Sequence, residues 1–505
     1  MQENNANLLS IAQESPSITE ISEEFSLPDY VPEIRRVLTV LAQVLPESKY
    51  LQESQGGATL DLGGSVTYSL IYTDDEGKLN AIPLNSNYET KIALQANPQY
   101  TLVDTSVDNV SYRVSAPRKL TIKSRVKNKV TQGIQNQVKE NITPRSSADE
   151  LYLEKREKPV KSVEMATATL SNVRISDKLT SDNEKNVKPI WCDARLVIKD
   201  SRVQNGYVSA RGEAVVKCLV EENGEIKVIE KSMPIAEEIE MKDAKENDQV
   251  RVDGRCVSLS ISNEELNEST QLFFDLVCDL EAEAYSNSER VLTEDIYSTL
   301  NEMEVTYKQM PVYSVVKAGN SSFTFNEAVK RKSKDISEII DVLLDPVCEK
   351  TEIKGEKMIA TGKLNLCLIG TKENEAEREY LCETYELPIK YELDMKKKLE
   401  NGVPRCLFSC LNGDARLDKD SVSVRCEIYP SYSVFERTNE RIIDTGLIKK
   451  DTEFKKDGST IRVYFPTEGD TLWEIAKRYH TTVNKLAEVN GLDPGASTLA
   501  KNLIV

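Results

Sequence analysis

Histidine is almost missing from this 505-residue chain: there is one, His480. Catalysis by a Ser–His or Cys–His pair needs a base within hydrogen-bond reach of the nucleophile. No P-loop, Gly-rich dinucleotide turn, HExxH or CxxC pair occurs. Acidic pairs such as Asp74-Asp75 and Glu221-Glu222 fall in hairpin turns, where carboxylates usually face solvent. The chain therefore reads as non-enzymatic, with no cofactor. A carboxylate-pair hydrolase is the enzyme class these absences leave open, because its two acids lie far apart in sequence. Cys406 and Cys410 have a CxxxC spacing but no second pair and no nearby His, so no metal site is expected.

Long apolar runs are missing too. No uncharged stretch of about 18 residues occurs, so no transmembrane segment is expected. The first 25 residues are acidic and lack a basic n-region and an apolar core, unlike a secretory signal. The expected address is the cytoplasm, and the ten cysteines are expected to be reduced thiols. None precedes Cys192, and most others sit in apolar runs, as Cys218 does in AVVKCLV.

Positive charge is in deficit. A net charge of −18 argues against holding nucleic acid or an anionic membrane by bulk electrostatics. The local exception is the basic run Arg118 to Lys139, which lacks interleaved aromatics and reads as a solvated edge strand, with contact to phosphate or headgroups as the second reading.

What is present is repetition. Segments beginning at Gly64, Gly212 and Gly362 each run through an alternating strand, cross a polar turn and reach a Pro between apolar residues: Pro83, Pro234 and Pro388. Counting by twos gives Val66, Tyr68, Leu70 and Tyr72; Ala214, Val216, Cys218 and Val220; and Leu364, Leu366 and Leu368, each set on one strand face. Asp75-Glu76-Gly77 and Glu222-Asn223-Gly224 are hairpin turns. Val31–Leu38 resembles Ile336–Leu343 upstream, with short helical entries at most, and each unit closes on another alternating strand, from Leu120, Leu272 and Ser421. The expected fold is mainly β: three β-rich, sandwich-like repeat domains followed by a small βααβ domain. The boundaries are an acidic segment 1–27 (a short amphipathic helix or a disordered peptide), repeat 28–130, linker 131–165, repeat 166–290, linker 291–330, repeat 331–445, connector 446–460 and a terminal domain 461–505.

In that last domain Ile461, Val463 and Phe465 alternate as a strand. Thr471 and Glu474 form a capping box for a helix carrying Leu472, Ile475, Ala476 and Tyr479. Thr482 caps a second helix with Val483, Leu486, Ala487 and Val489, ended by Asn490-Gly491, and Leu503–Val505 supplies a closing strand. The run Gly469-Asp470-Thr471-Leu472-Trp473-x-Ile475-Ala476 with Tyr479, Val483, Leu486 and Asn490 resembles the LysM family. That resemblance implies a βααβ fold and binding of N-acetylglucosamine glycans such as peptidoglycan, in a groove between two loops. Carried over, the loops are Gly469, Asp470, Thr471 and Leu472 on one side, and Asn490, Gly491 and Leu492 on the other. The family's closing Gly is Ala500 here. Trp473, Ile475 and Tyr479 are expected in the core.

Three β repeats ahead of one LysM resemble the SPOCS-repeat spore coat morphogenesis proteins (SipL/SpoVID-like) of spore-forming Firmicutes. The resemblance implies a mother-cell cytoplasmic scaffold at the outer forespore surface. Its LysM would dock a SpoIVA-like coat morphogenetic ATPase, or meet peptidoglycan or its precursor. Serial repeats support a scaffold on physical grounds too, since linked weak sites raise each other's effective concentration. The alternative is a wall-glycan-binding protein.

Overall fold

Alternating apolar positions build nearly every element. The computed structural model describes residues 6–94, 97–138, 141–143, 152–181, 187–204, 206–266, 269–373, 378–454, 461–496 and 502–505. The first unit contains β1 (Ala6–Gln13), β2 (Ser17–Ser26), β3 (Arg36–Ser54), β4 (Gly57–Thr73), β5 (Leu79–Leu94), β6 (Tyr100–Ala116) and β7 (Lys119–Val138). β3-β4-β5 is an antiparallel meander; β7 lies between β6 and the β1/β2 pair in a second sheet. Val66, Tyr68, Leu70 and Tyr72 of β4 and Leu120, Ile122 and Val126 of β7 fill the space between the layers. Tyr68 Oη meets Ser124 Oγ at 2.7 Å, so the phenol buried in that core is hydrogen-bonded.

The same plan recurs twice. The second unit has the meander β10 (Val187–Gln204), β11 (Tyr207–Glu222) and β12 (Glu225–Glu240), packed on β9 (Leu153–Ser181), β14 (Ser269–Ser298) and β13 (Gln249–Leu266). The third has β17 (Glu338–Lys354), β18 (Lys357–Glu373) and β19 (Arg378–Asp394), packed on β15 (Asn301–Asn320), β16 (Phe323–Lys330), β20 (Gly402–Leu417) and β21 (Ser421–Glu453). A short β8 (Asn141–Thr143) adds in parallel to β21.

The repeated glycine has a specific cause. In each unit the first meander strand carries two β-bulges, at Leu38 and Glu47, at Ile190 and Lys199, and at Ile340 and Glu349. Gly64, Gly212 and Gly362 each lie opposite the second bulge. A Cβ there would come within 2.2, 2.1 and 1.9 Å of the Leu45, Val197 and Val347 carbonyl oxygens. Only glycine lets the bulged backbone approach this closely.

The bulges also set the true register between units, and it differs from the expected alignment of Val31–Leu38 with Ile336–Leu343. Arg36 pairs with Thr73 and Glu338 with Thr371, so residues 36–41 correspond to 338–343, three positions away. No helix forms at these entries. The prolines lie on the meander edge strands, where a missing N–H is tolerated. Pro234 and Pro388 face Glu213 and Lys363, each one residue after the glycine, but Pro83 faces Ser69, so its match is compositional only.

Three further expectations are corrected. Within the segment 1–27, whose residues 1–5 lie outside the described residues, β1 and β2 form and are tied to β7 along their length. The spans 131–165 and 291–330, expected as linkers, carry the ends of β7 and β14, the start of β9, and β15 and β16; the expected connector 446–460 begins as β21, and 455–460 lies outside the described residues. The basic run is the middle strand of its sheet, not an edge: Leu120, Ile122, Ser124, Val126, Asn128 and Val130 point inward, while Lys119, Lys123 and Lys127 take the other face. Lys139 lies outside the described residues.

The units pack against one another through equivalent positions. Ile71, Leu219 and Ile369, each seven residues after its glycine and each fully buried, meet in one apolar cluster. A second cluster joins Leu9 and Ile11, Val163 and Met165, and Tyr313 and Val315, from the first strand of each unit. Beside it lies a charged network with one group from each unit: Arg405 donates to Glu283 at 2.6 Å and to Asp104 through Nε at 2.9 Å. Burial pushes the Glu283 carboxyl up, but Arg405 and Arg251 more than reverse this and hold it at about 2. The body is thus a threefold pseudo-symmetric closure of three repeats, not beads in series.

Candidate functional site: the C-terminal module and its seat

The module after β21 is held by few but specific contacts. β22 (Val463–Tyr464) pairs with β23 (Leu503–Ile504), and two helices, α1 (Leu472–Arg478) and α2 (Val483–Val489), lie between them in sequence. The order is β–α–α–β, as expected, but the alternating Ile461, Val463 and Phe465 are exposed and Tyr464 packs on the core instead. Thr471 and Glu474 form both halves of the capping box, and Thr482 caps α2 through the Lys485 N–H. Leu472, Ile475, Ala476, Leu486, Ala487 and Leu503 make the module core.

The two loops expected to line a groove are linked through the small sheet. Asp470 accepts from the Thr467 N–H at 2.7 Å and from the Tyr464 hydroxyl at 2.7 Å. Tyr464 pairs with Leu503; the next residue, Ile504, exchanges two hydrogen bonds with the Asn490 side chain, at 2.8 and 2.7 Å. Asp470 and Asn490 are therefore committed to the module's own structure. Leu472 is buried and Leu492 packs against the same core. Gly469 (φ +97°) and Gly491 (φ +63°) hold left-handed turns with open space around them. Of the seven expected positions, Gly469, Thr471 and Gly491 are the exposed ones.

Sequence reasoning missed what the other side of α1 does. Trp473 is buried with the module core, as its spacing predicts, and its ring also packs edge-on to Tyr297 of β14 at 4.9 Å, with the Arg156 guanidinium 5.5 Å from its centroid. Its indole N–H donates to Asp295 at 2.8 Å, and Lys477 donates to both oxygens of that carboxylate at 2.7 and 2.8 Å. Tyr307 donates to Asp295 as well, and Tyr297 donates to the Thr481 carbonyl at 2.8 Å. Burial raises the Asp295 carboxyl, yet the hydrogen bonds from Lys477, Tyr307 and Trp473 outweigh it, and the net displacement is downward. His480, at the end of α1, stacks on Phe454, and desolvation lowers its imidazole. Trp473 and Lys477 are four apart on one helix face, a spacing that shows a shared surface but not which partner it meets.

A cleft of about 380 Å³ lies between the first two units, lined by Tyr100, Glu164, Lys245 and Arg290 among others. Glu164 accepts from both Lys245 and Arg290 at 2.7 Å, so all three side chains are committed to one another. No helix among the described residues is long and apolar enough to cross a membrane, and no group of three His, Cys, Asp or Glu residues among them is arranged to hold a metal ion.

Comparison with known families agrees with this division. The LysM domain model matches residues 467–496, and the SipL, SPOCS domain model matches 186–262. The chain therefore carries one matched SPOCS domain and one matched LysM domain, the pairing found in SPOCS-plus-LysM sporulation proteins. The SPOCS match covers the β10-β11-β12 meander and most of β13. Both families are binding or scaffold types rather than catalytic ones. No curated protein and no solved structure matches the chain.

Proposed function

We propose that this protein is a non-catalytic scaffold of spore envelope assembly, anchoring a coat morphogenetic layer at the forespore surface through its three repeats and its LysM module. The single observation that carries this reading is the closure of three equivalent units around shared apolar clusters with the LysM seated on their rim. Such a body presents three related outer surfaces and one distinct docking unit in fixed relation. In this reading the first and third units are SPOCS domains as well, since they share both bulges and the opposed glycine with the second. The protein acts in the mother-cell cytoplasm, and its LysM docks a SpoIVA-like ATPase.

A second reading, glycan binding, is favoured by the LysM match and by the exposure of Gly469, Thr471 and Gly491 on the two loops. The site would then comprise those residues with Asp470, Leu472, Asn490 and Leu492 shaping the loops. One experiment separates the two. A fluorescent fusion lacking 461–505 is imaged in sporulating cells while the purified full chain is tested for retention on peptidoglycan. Loss of the ring around the forespore, with no retention on peptidoglycan, supports the scaffold. A normal ring with tight retention supports glycan binding.

A further inference from the structure

Ten cysteines occupy this chain, none of them in the first unit. Their placement in the other two is not scattered. Cys192 on β10 stands directly opposite Cys218 on β11, and Cys256 on β13 directly opposite Cys278 on β14. Residues facing each other across antiparallel strands have Cα atoms roughly 4.5–5.5 Å apart, within the roughly 4.4–6.8 Å that a disulfide spans. Cys367 on β18 and Cys382 on β19 bring their sulfurs to 3.0 Å. In each of these three pairs one thiol is partly exposed (Cys192, Cys256, Cys382) and its partner is buried. The remaining four cysteines are all buried.

We propose that Cys192/Cys218, Cys256/Cys278 and Cys367/Cys382 are sites of reversible oxidation that staple neighbouring strands of the second and third units when the protein meets a small-molecule disulfide. The exposed thiol, as thiolate, attacks one sulfur of the oxidant, here oxidised glutathione, and expels one glutathione thiolate. The buried partner loses its proton and attacks the protein sulfur of the mixed disulfide, expelling the second glutathione. Two protein thiols and one small disulfide thus become one protein disulfide and two small thiols. The arrangement of an accessible cysteine beside a resolving one is what such exchange requires. In the Cys367/Cys382 pair the two sulfurs are already in contact. The pair also lies in the cluster where Ile71, Leu219 and Ile369 meet, so oxidation there fastens the third unit's meander at the junction itself. This inference is independent of what the LysM binds.

The test uses the full chain, incubated with oxidised glutathione, quenched by alkylation and mapped by mass spectrometry. The expected result is loss of about six of the ten alkylatable thiols. Three cross-linked peptides should account for them: Cys192–Cys218, Cys256–Cys278 and Cys367–Cys382. Dithiothreitol should restore all ten thiols, and Cys348, Cys406, Cys410 and Cys426 should remain free throughout. Cys218→Ser should convert the first cross-link into a stable glutathione adduct on Cys192. Stable adducts on Cys192, Cys256 and Cys382 in the unmodified sequence, cross-links between other cysteines, or an unchanged thiol count would overturn the proposal, and none of these readings depends on the variant folding.

Discussion

The junction of the three repeats and the seat of the LysM module are both interfaces, but they are built from different physics. At the junction Ile71, Leu219 and Ile369 lose all contact with water, and each buried side chain of this kind contributes roughly 1.5–3 kcal/mol. The seat turns on one carboxylate, Asp295, with Trp473, Lys477 and Tyr307 donating to it. Apolar burial is non-directional and survives small shifts; a convergent hydrogen-bonded cluster is lost as a unit. The junction is therefore the more tolerant interface, and the seat is the one that a single substitution can release.

The sharpest way to break this contrast is at the bulges that give each unit its shape. Gly212→Val places side-chain atoms on the Val197 carbonyl and should cost about 3 kcal/mol or more, read as a large drop in the unfolding midpoint. Leu219→Ala at the junction should cost about 3 kcal/mol, and combining it with Ile369→Ala should give less or more than the sum, because the two share one cluster. Asp295→Ala should cost the seat about 1–3 kcal/mol, since it strands a buried indole N–H. The readout is a red shift of Trp473 emission in a Trp191→Phe background, these being the two tryptophans, with the body's unfolding midpoint nearly unchanged. A red shift accompanied by collapse of the body would show that the two interfaces are one.

Acid should weaken both interfaces. A carboxyl held below its unfolded value contributes stability above that value and loses it as pH falls through the folded one. Asp295 is held low by its donors and Glu283 at about 2 by Arg405 and Arg251. Through these two carboxyls, Trp473 emission and body stability should therefore fall as pH drops from the ordinary carboxylate range, near pH 4, toward pH 2. His480 adds an effect of the same sign at milder pH: its lowered imidazole makes protonation unfavourable to the stacked state on Phe454. The smallest expected effect is at Gly224, whose φ of +83° closes the β11–β12 hairpin in open space. Gly224→Ala should cost about 1 kcal/mol, well below any change at Gly212.

Much of the fold was legible because period-two patterning is a local signal. The inward sets on β4, β11 and β18, the hairpins that follow them, and the capped helices of the terminal module follow from spacing alone, whereas the first strand of each meander was not read. The spans taken for linkers misled because long strands packed on one face read as polar on the other, as Glu302, Glu304 and Lys308 alternating with Met303, Val305 and Tyr307 of β15 illustrate. Bulges are invisible to a count by twos, so the alignment of residues 31–38 slipped by three. The junction and the seat depend on pairs far apart in the chain, such as Asp295 and Trp473, and no local pattern announces them.

Small-angle X-ray scattering on the purified full chain tests the threefold closure most directly. A compact fold of 505 residues should have a radius of gyration of about 23 Å. A substantially larger value, with the scattering profile of separated beads, would contradict the shared junction and with it the scaffold geometry.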